Sequence, residues 1–133
     1  MSFSMKRSLA VGGLALLLVM SAGACDGLGA GDGQSDEERL AELKQTIQEE
    51  VGKRAERVEQ CRTCAFGSKP CGGPQSYLVY STASTDEARL KALVKEHNAL
   101  EAKINREQGR TSECLFVPRP DTTLADGACA AAR

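Results

Sequence analysis

Tryptophan is missing from this 133-residue chain, only five side chains are phenylalanine or tyrosine, and there is a single histidine. So small an aromatic complement argues against a deep aromatic ligand pocket. With only His97, and with no strained G-x-S-x-G turn, a Ser/His/Asp hydrolase is not indicated. No glycine-rich loop leads into a helix with the lysine that a nucleotide phosphate needs. A basic excess is lacking too: 17 Lys and Arg stand against 18 Asp and Glu, a formal net charge of −1, which argues against a nucleic-acid partner. No apolar run reaches the roughly 20 residues of a membrane-spanning helix. The carboxylates fall mainly on the charged faces of two amphipathic segments, so no acid/base pair stands out. These absences predict a protein that is not an enzyme and needs no cofactor or metal.

The N-terminus carries the first positive signal. Residues 1–8 hold Lys6 and Arg7 and no acid, residues 9–20 (LAVGGLALLLVM) are apolar throughout, and SAGA leads to Cys25. A charged start, a short apolar core and small residues at the cut make a secretory signal peptide over residues 1–24. Ala22-Gly23-Ala24 suits ordinary cleavage, which would leave a soluble secreted or periplasmic protein. The same residues followed by Cys25 also resemble a bacterial lipoprotein signal, in which that cysteine is acylated. The next stretch, DGLGAGDGQS (26–35), has nothing to pack and reads as a flexible tether, which favours the lipoprotein. The expected organisation is therefore a leader (1–24), a lipidated Cys25 with its tether (25–35) and one small domain (36–133). An acyl anchor would hold it in the membrane, facing the periplasm or cell surface. Loss of Lys6 and Arg7 leaves 15 basic against 18 acidic side chains, a net of −3.

Two helices are legible. Ser35-Asp36-Glu37-Glu38 fits a capping box, and Leu40, Leu43, Ile47, Val51, Ala55 and Val58 follow at steps of three and four, predicting a helix to about Cys61 that crosses Gly52. Ser84-Thr85-Asp86-Glu87 repeats the S-x-x-E pattern before Leu90, Leu93, Val94, His97, Leu100 and Ile104, with Gly109 placed to end the helix. Between them, Gly72-Gly73-Pro74 breaks regular structure and Tyr77 to Tyr80 reads as a short extended segment, with Cys114 to Val117 as its partner. The tail has little to hold it beyond Cys129. The expected fold is mainly α: two amphipathic helices forming a hairpin, with a short β-like ribbon, stapled by disulfides.

Six cysteines, at 25, 61, 64, 71, 114 and 129, give the staples. In an exported domain this small, disulfides are the default use. Cys61-x2-Cys64 has a zinc-ligand spacing, but no second C-x2-C or cysteine-proximal histidine completes a site. C-type haem attachment fails because Ala65 stands where histidine is required. A redox C-x-x-C belongs at a helix start, whereas Cys61 falls at the predicted end of one. Joining Cys71 to Cys114 would bracket the second helix, and Cys129 would then pair with Cys61 or Cys64. Acylation of Cys25 leaves five thiols, so one remains spare.

The residues Gly67, Lys69, Cys71, Gly72, Gly73, Pro74 and Tyr77, then Ser112, Cys114 and Cys129, resemble the G-x-K-x-C-G-G-P-x-x-Y, S-D-C and last-cysteine pattern of a group of small exported bacterial proteins, many of them lipoproteins. Glu113 stands where that group has Asp. The resemblance implies a compact cysteine-bridged domain and no reaction. The expected function is thus a non-catalytic envelope lipoprotein, an interaction or structural module for an unidentified envelope protein. Its binding loop would be built from Lys69, Gly72, Gly73, Pro74, Tyr77 and Tyr80. The alternatives are a thiol-disulfide protein using Cys61 and Cys64, or a small inhibitor of an envelope enzyme.

Overall fold

The computed structural model describes residues 33–132; the leader, Cys25 and most of the tether lie outside the described residues. In chain order the elements are helix α1 (Asp36–Glu50), a 3-10 turn (Val58–Gln60), strands β1 (Cys61–Phe66) and β2 (Ser76–Ser81), helix α2 (Glu87–Glu107), and strands β3 (Thr122–Ala125) and β4 (Ala128–Ala131). The strands form two separate antiparallel hairpins, β1-β2 and β3-β4. A mainly α hairpin stapled by several disulfides does not hold. Two small sheets share the fold with the helices, and among the described residues one disulfide, Cys61–Cys129, is formed.

Helix α1 begins as its sequence dictates. The Ser35 amide donates to Glu38 Oε2 at 2.8 Å and the Glu38 amide donates to Ser35 Oγ at 3.2 Å, so two otherwise unpaired helix-start amides are satisfied. The helix ends eleven residues before Cys61, and Gly52 is the reason. Its amide donates to Thr85 Oγ1 at 2.9 Å, and its carbonyl accepts from the Ser81 amide at 2.8 Å and from Thr85 Oγ1 at 3.1 Å. A β-carbon on Gly52 would lie 2.1 Å from the Ser84 carbonyl oxygen. The backbone crossing is too close for a side chain and takes the bonding groups that helix propagation requires. Residues 53–55 then run extended beside β4: Lys53 O accepts from the Cys129 amide at 2.8 Å, and the Ala55 amide donates to Gly127 O at 3.0 Å. Val58, counted in the helical stripe, is exposed.

The same crossing moves the start of α2. Ser84 Oγ donates to Arg54 O at 3.0 Å and Thr85 is bound to Gly52, so neither hydroxyl caps the helix. Asp86 does so instead, accepting from the Arg89 amide at 3.0 Å. At the other end Gly109 has φ +58°, the Arg110 amide donates to Asn105 O at 3.0 Å, and the Gly109 amide donates to Arg106 O at 3.4 Å. That is the paired closure expected of a left-handed glycine. The helices run antiparallel, with surface ion pairs Asp36–Lys103, Arg39–Glu96 and Glu50–Arg89 along the seam. Exposed pairs of this kind contribute about 0–1 kcal/mol each, so apolar burial carries the packing.

The β1-β2 hairpin is the middle layer. Its register sets Cys61 opposite Ser81, Cys64 opposite Leu78 and Phe66 opposite Ser76. Side chains alternate faces along a strand. One face sends Cys64, Phe66, Leu78 and Tyr80 against Ile47, Leu90 and Val94 of the helices. The other sends Cys61 and Val79 against Ala55, Leu124 and Cys129. Thus Cys61–Cys129 ties β1 to the β3-β4 hairpin across the smaller core. The expected partner of the Tyr77 segment, residues 114–117, is not a strand. Cys61–Phe66 takes that place because a nine-residue loop brings it back alongside β2. The tail is more ordered than Cys129 alone requires. Asp126 and Gly127 have φ +50° and +74°, the paired left-handed geometry of a two-residue hairpin turn.

Replacing Gly52 with Ala is expected to lower stability by about 1–3 kcal/mol, the usual range for overpacking. Urea unfolding of G52A measures this; an unchanged midpoint would show that the backbone crossing is not tightly closed.

Candidate functional site

Loop 67–75 joins β1 to β2, and segment 110–121 returns from the end of α2 across its tip. Proline at position 70 and glycine at 72 suit a tight turn, in which Lys69 O accepts from the Gly72 amide at 2.9 Å. Gly72 (φ +99°) and Gly73 (φ +78°) then carry the backbone through a conformation that side chains disfavour, and the Lys69 amide donates to Gly73 O at 3.0 Å.

The base of this loop is fixed to α2 by polar side chains. Asn98 Oδ1 accepts from the Gly67 amide at 2.7 Å, and Asn98 Nδ2 donates to Ala65 O at 3.1 Å. Glu101 accepts from the Ser68 amide at 2.5 Å and from Gln75 Nε2 at 2.7 Å, while Asn105 Nδ2 donates to Ser68 O at 2.7 Å. Glu101 and Asn105 are buried, so these bonds satisfy groups that would otherwise be costly inside the protein. His97 is buried beside them and stacks on Phe66, with ring centroids 4.4 Å apart.

The tip faces the returning segment. The Lys69 ammonium donates to Leu115 O, Cys71 Sγ lies 3.5 Å from Ser112 Oγ, and the Cys71 thiol donates to Glu113 O at 3.7 Å. Cys114 Sγ is 3.9 Å from Ser112 O, so both thiols gather around Ser112 and line the same groove. Further along, Arg119 Nε donates to Thr63 Oγ1 at 2.6 Å. A groove of about 230 Å³ opens between Gly72, Gly73 and Pro74 on one wall and Leu115, Phe116 and Val117 on the other. Leu115 is 67% and Phe116 86% exposed, an adjacent apolar pair beside that groove.

The thiols differ in chemistry. The hydrogen bond from Cys114 lowers the Cys71 pKa, helped by the Ser112 hydroxyl and the Lys69 charge. The same bond raises that of Cys114, and burial adds to the effect. Cys64 is pushed up by burial. Cys61 and Cys64, three residues apart in a strand, point to opposite faces, and Cys61 is bonded to Cys129. They do not meet as a dithiol or as ligands of one ion.

Of the residues assigned to the binding loop, the structure gathers Lys69, Gly72, Gly73 and Pro74 at the groove, with Cys71 and Cys114. Tyr77 is half-buried on β2. Tyr80 is 1% exposed, its hydroxyl donating to Glu87 Oε1 at 2.8 Å, and it belongs to the core. Burial chiefly, and Glu87 next, push its phenol well above the ordinary range. Between Cys129's two expected partners the structure selects Cys61. Cys71 and Cys114 are neighbours that carry thiols, not the expected bridge. Asn98 and Glu101 went unnoticed in the sequence. The signal was their spacing with Asn105, three and four residues along one edge of an apolar stripe. Comparison with protein-family models, with curated proteins and with solved structures finds no match to this chain.

At neutral pH, limiting iodoacetamide is expected to label the thiol form of the protein first at Cys71 and last at Cys64, as read by peptide mapping. Faster labelling of Cys64 would contradict the placement of these two side chains.

Proposed function

We propose that this chain is an exported bacterial lipoprotein, anchored through an acylated Cys25, whose small domain presents the loop 69–74 and segment 112–117 to an envelope protein. The leader layout and the glycine-rich tether support the anchor, and the tether gives the domain reach from the membrane surface. The observation that carries the interaction reading is the exposed Leu115–Phe116 pair beside a groove whose opposite wall is a rigidly held loop. Large apolar side chains left in water on a scaffold that fixes the chain around them are where protein partners dock. The role is binding, without catalytic turnover. The likeness to small exported proteins with the C-G-G-P-x-x-Y pattern agrees with this reading.

A photocrosslinking amino acid placed at position 116 in intact cells should give a defined product with an envelope protein, whereas the same probe at exposed Gln45 on α1 should not. The intact mass of the captured chain should correspond to cleavage before an acylated Cys25. Equal crosslinking at both positions, or a mass that retains the leader, would overturn the reading.

A further inference from the structure

Three thiols are present among the described residues besides the one disulfide, and two of them are held together at the surface. Ser112 organises both: its hydroxyl lies 3.5 Å from Cys71 Sγ, and its carbonyl 3.9 Å from Cys114 Sγ. Each cysteine is exposed and lies outside helices and strands, so a sulfur approaching from solvent meets no obstruction from the core. The space beside Cys71 is open as well, because nothing lies within 4 Å of where a β-carbon of Gly72 or Gly73 would sit. Cys61–Cys129 differs in each respect: its half-cystines are 4% and 2% exposed, and both lie within strands. The molecule therefore carries a closed inner bond and an open outer pair that do not share a core.

We propose that Cys71 and Cys114 form a thiol–disulfide exchange site, in which Cys71 attacks an incoming disulfide and Cys114 resolves the product by closing a bond between loop and returning segment. The Cys71 thiolate attacks one sulfur of R–S–S–R′; a new S–S bond forms, the old one breaks, and R′S⁻ leaves and takes up a proton. Cys114, its proton lost to solvent, then attacks the Cys71 sulfur, forming Cys71–Cys114 and expelling RS⁻, which is protonated in turn. Two thiols are oxidised by two electrons and one disulfide is reduced to two thiols. The lowered thiol pKa of Cys71 and the raised one of Cys114 agree with this division of roles. Closure would fasten the segment carrying Leu115 and Phe116 to the loop, fixing the face proposed above for a partner. The exchange chemistry itself needs no partner protein, so it stands or fails separately from that reading.

Full-length protein, reduced only at the outer pair, is treated with glutathione disulfide and mapped by mass spectrometry after thiol blocking. The native chain is expected to gain the Cys71–Cys114 bond and keep no glutathione. C114S is expected to retain one glutathione on Cys71, and C71S to lose the internal bond. An intact Cys61–Cys129 and an unchanged far-UV spectrum verify the fold of each variant. A parallel arm uses a disulfide-linked peptide dimer with leucine beside the cysteine. Faster closure with the peptide assigns a protein disulfide as reactant, and closure at least as fast with glutathione assigns a small one; either supports exchange. Absence of adduct on Cys71 in C114S, or persistent glutathione on native Cys71, overturns the proposal. So does a Cys71–Cys114 bond that opens only at potentials that also open Cys61–Cys129, since that would make it a structural staple.

Discussion

The bond between Cys61 and Cys129 is the constraint around which this small domain is arranged. It joins the first residue of β1 to the middle of β4 across a sequence separation of 68 residues, and it does so on the face of the central hairpin that the helices leave uncovered. Beneath it the fully buried apolar residues are Ala55 and the two half-cystines. A two-stranded hairpin of four-residue strands is at best marginal alone in water. Closing a loop of that size is worth about 4 kcal/mol in the chain-entropy account. A covalent link thus does on this side what Ile47, Tyr80, Leu90 and Val94 do by burial on the other.

The candidate site lies where neither core reaches. Helix α2 offers its apolar stripe to α1 and β2, and turns a polar edge toward the base of loop 67–75. Each amide of that edge meets a backbone partner, and Glu101 takes two donors, so the loop is held by directional bonds to a long helix. Beyond the clamp the tip is open, glycine-rich and lined with thiols. Rigid support under a short exposed loop is the usual setting for recognition. Here it also keeps two cysteines adjacent without enclosing them.

Much of this was legible in the sequence and some was not, for physical reasons. Ser35 with Glu38, the apolar stripe from Leu90 to Ile104 and Gly109 are local signals, and each produced the expected helix end or face. The extended run at Tyr77 to Tyr80 was readable for the same reason. Helix α1 was read too long because Val51, Ala55 and Val58 continue the helical spacing by coincidence, while the hydroxyls and carbonyl that stop the helix at Gly52 come from residues 81–85, far along the chain. Ser84 looked like a cap, but its hydroxyl is taken by Arg54. Strand β1 was missed because CRTCAF does not alternate cleanly between apolar and polar. The tail does carry a local signal, Asp126-Gly127 between short runs of small residues, which is the sequence of a two-residue hairpin turn. Of the candidate site, Lys69, Cys71, the two glycines, Pro74 and Cys114 assemble as one surface. Sequence narrows the partner of Cys129 to Cys61 or Cys64, and the choice of Cys61, like the unbonded state of Cys71 and Cys114, depends on tertiary placement.

The most direct test of the role given to the inner bond is native-state hydrogen exchange of the C61A/C129A double variant beside the parent chain. Amides of Thr122–Ala125 and Ala128–Ala131 are expected to lose their protection while the interior of α2 keeps most of its own. If those strands stay as protected without the bond as with it, burial alone holds the C-terminal hairpin in place and the central claim is wrong.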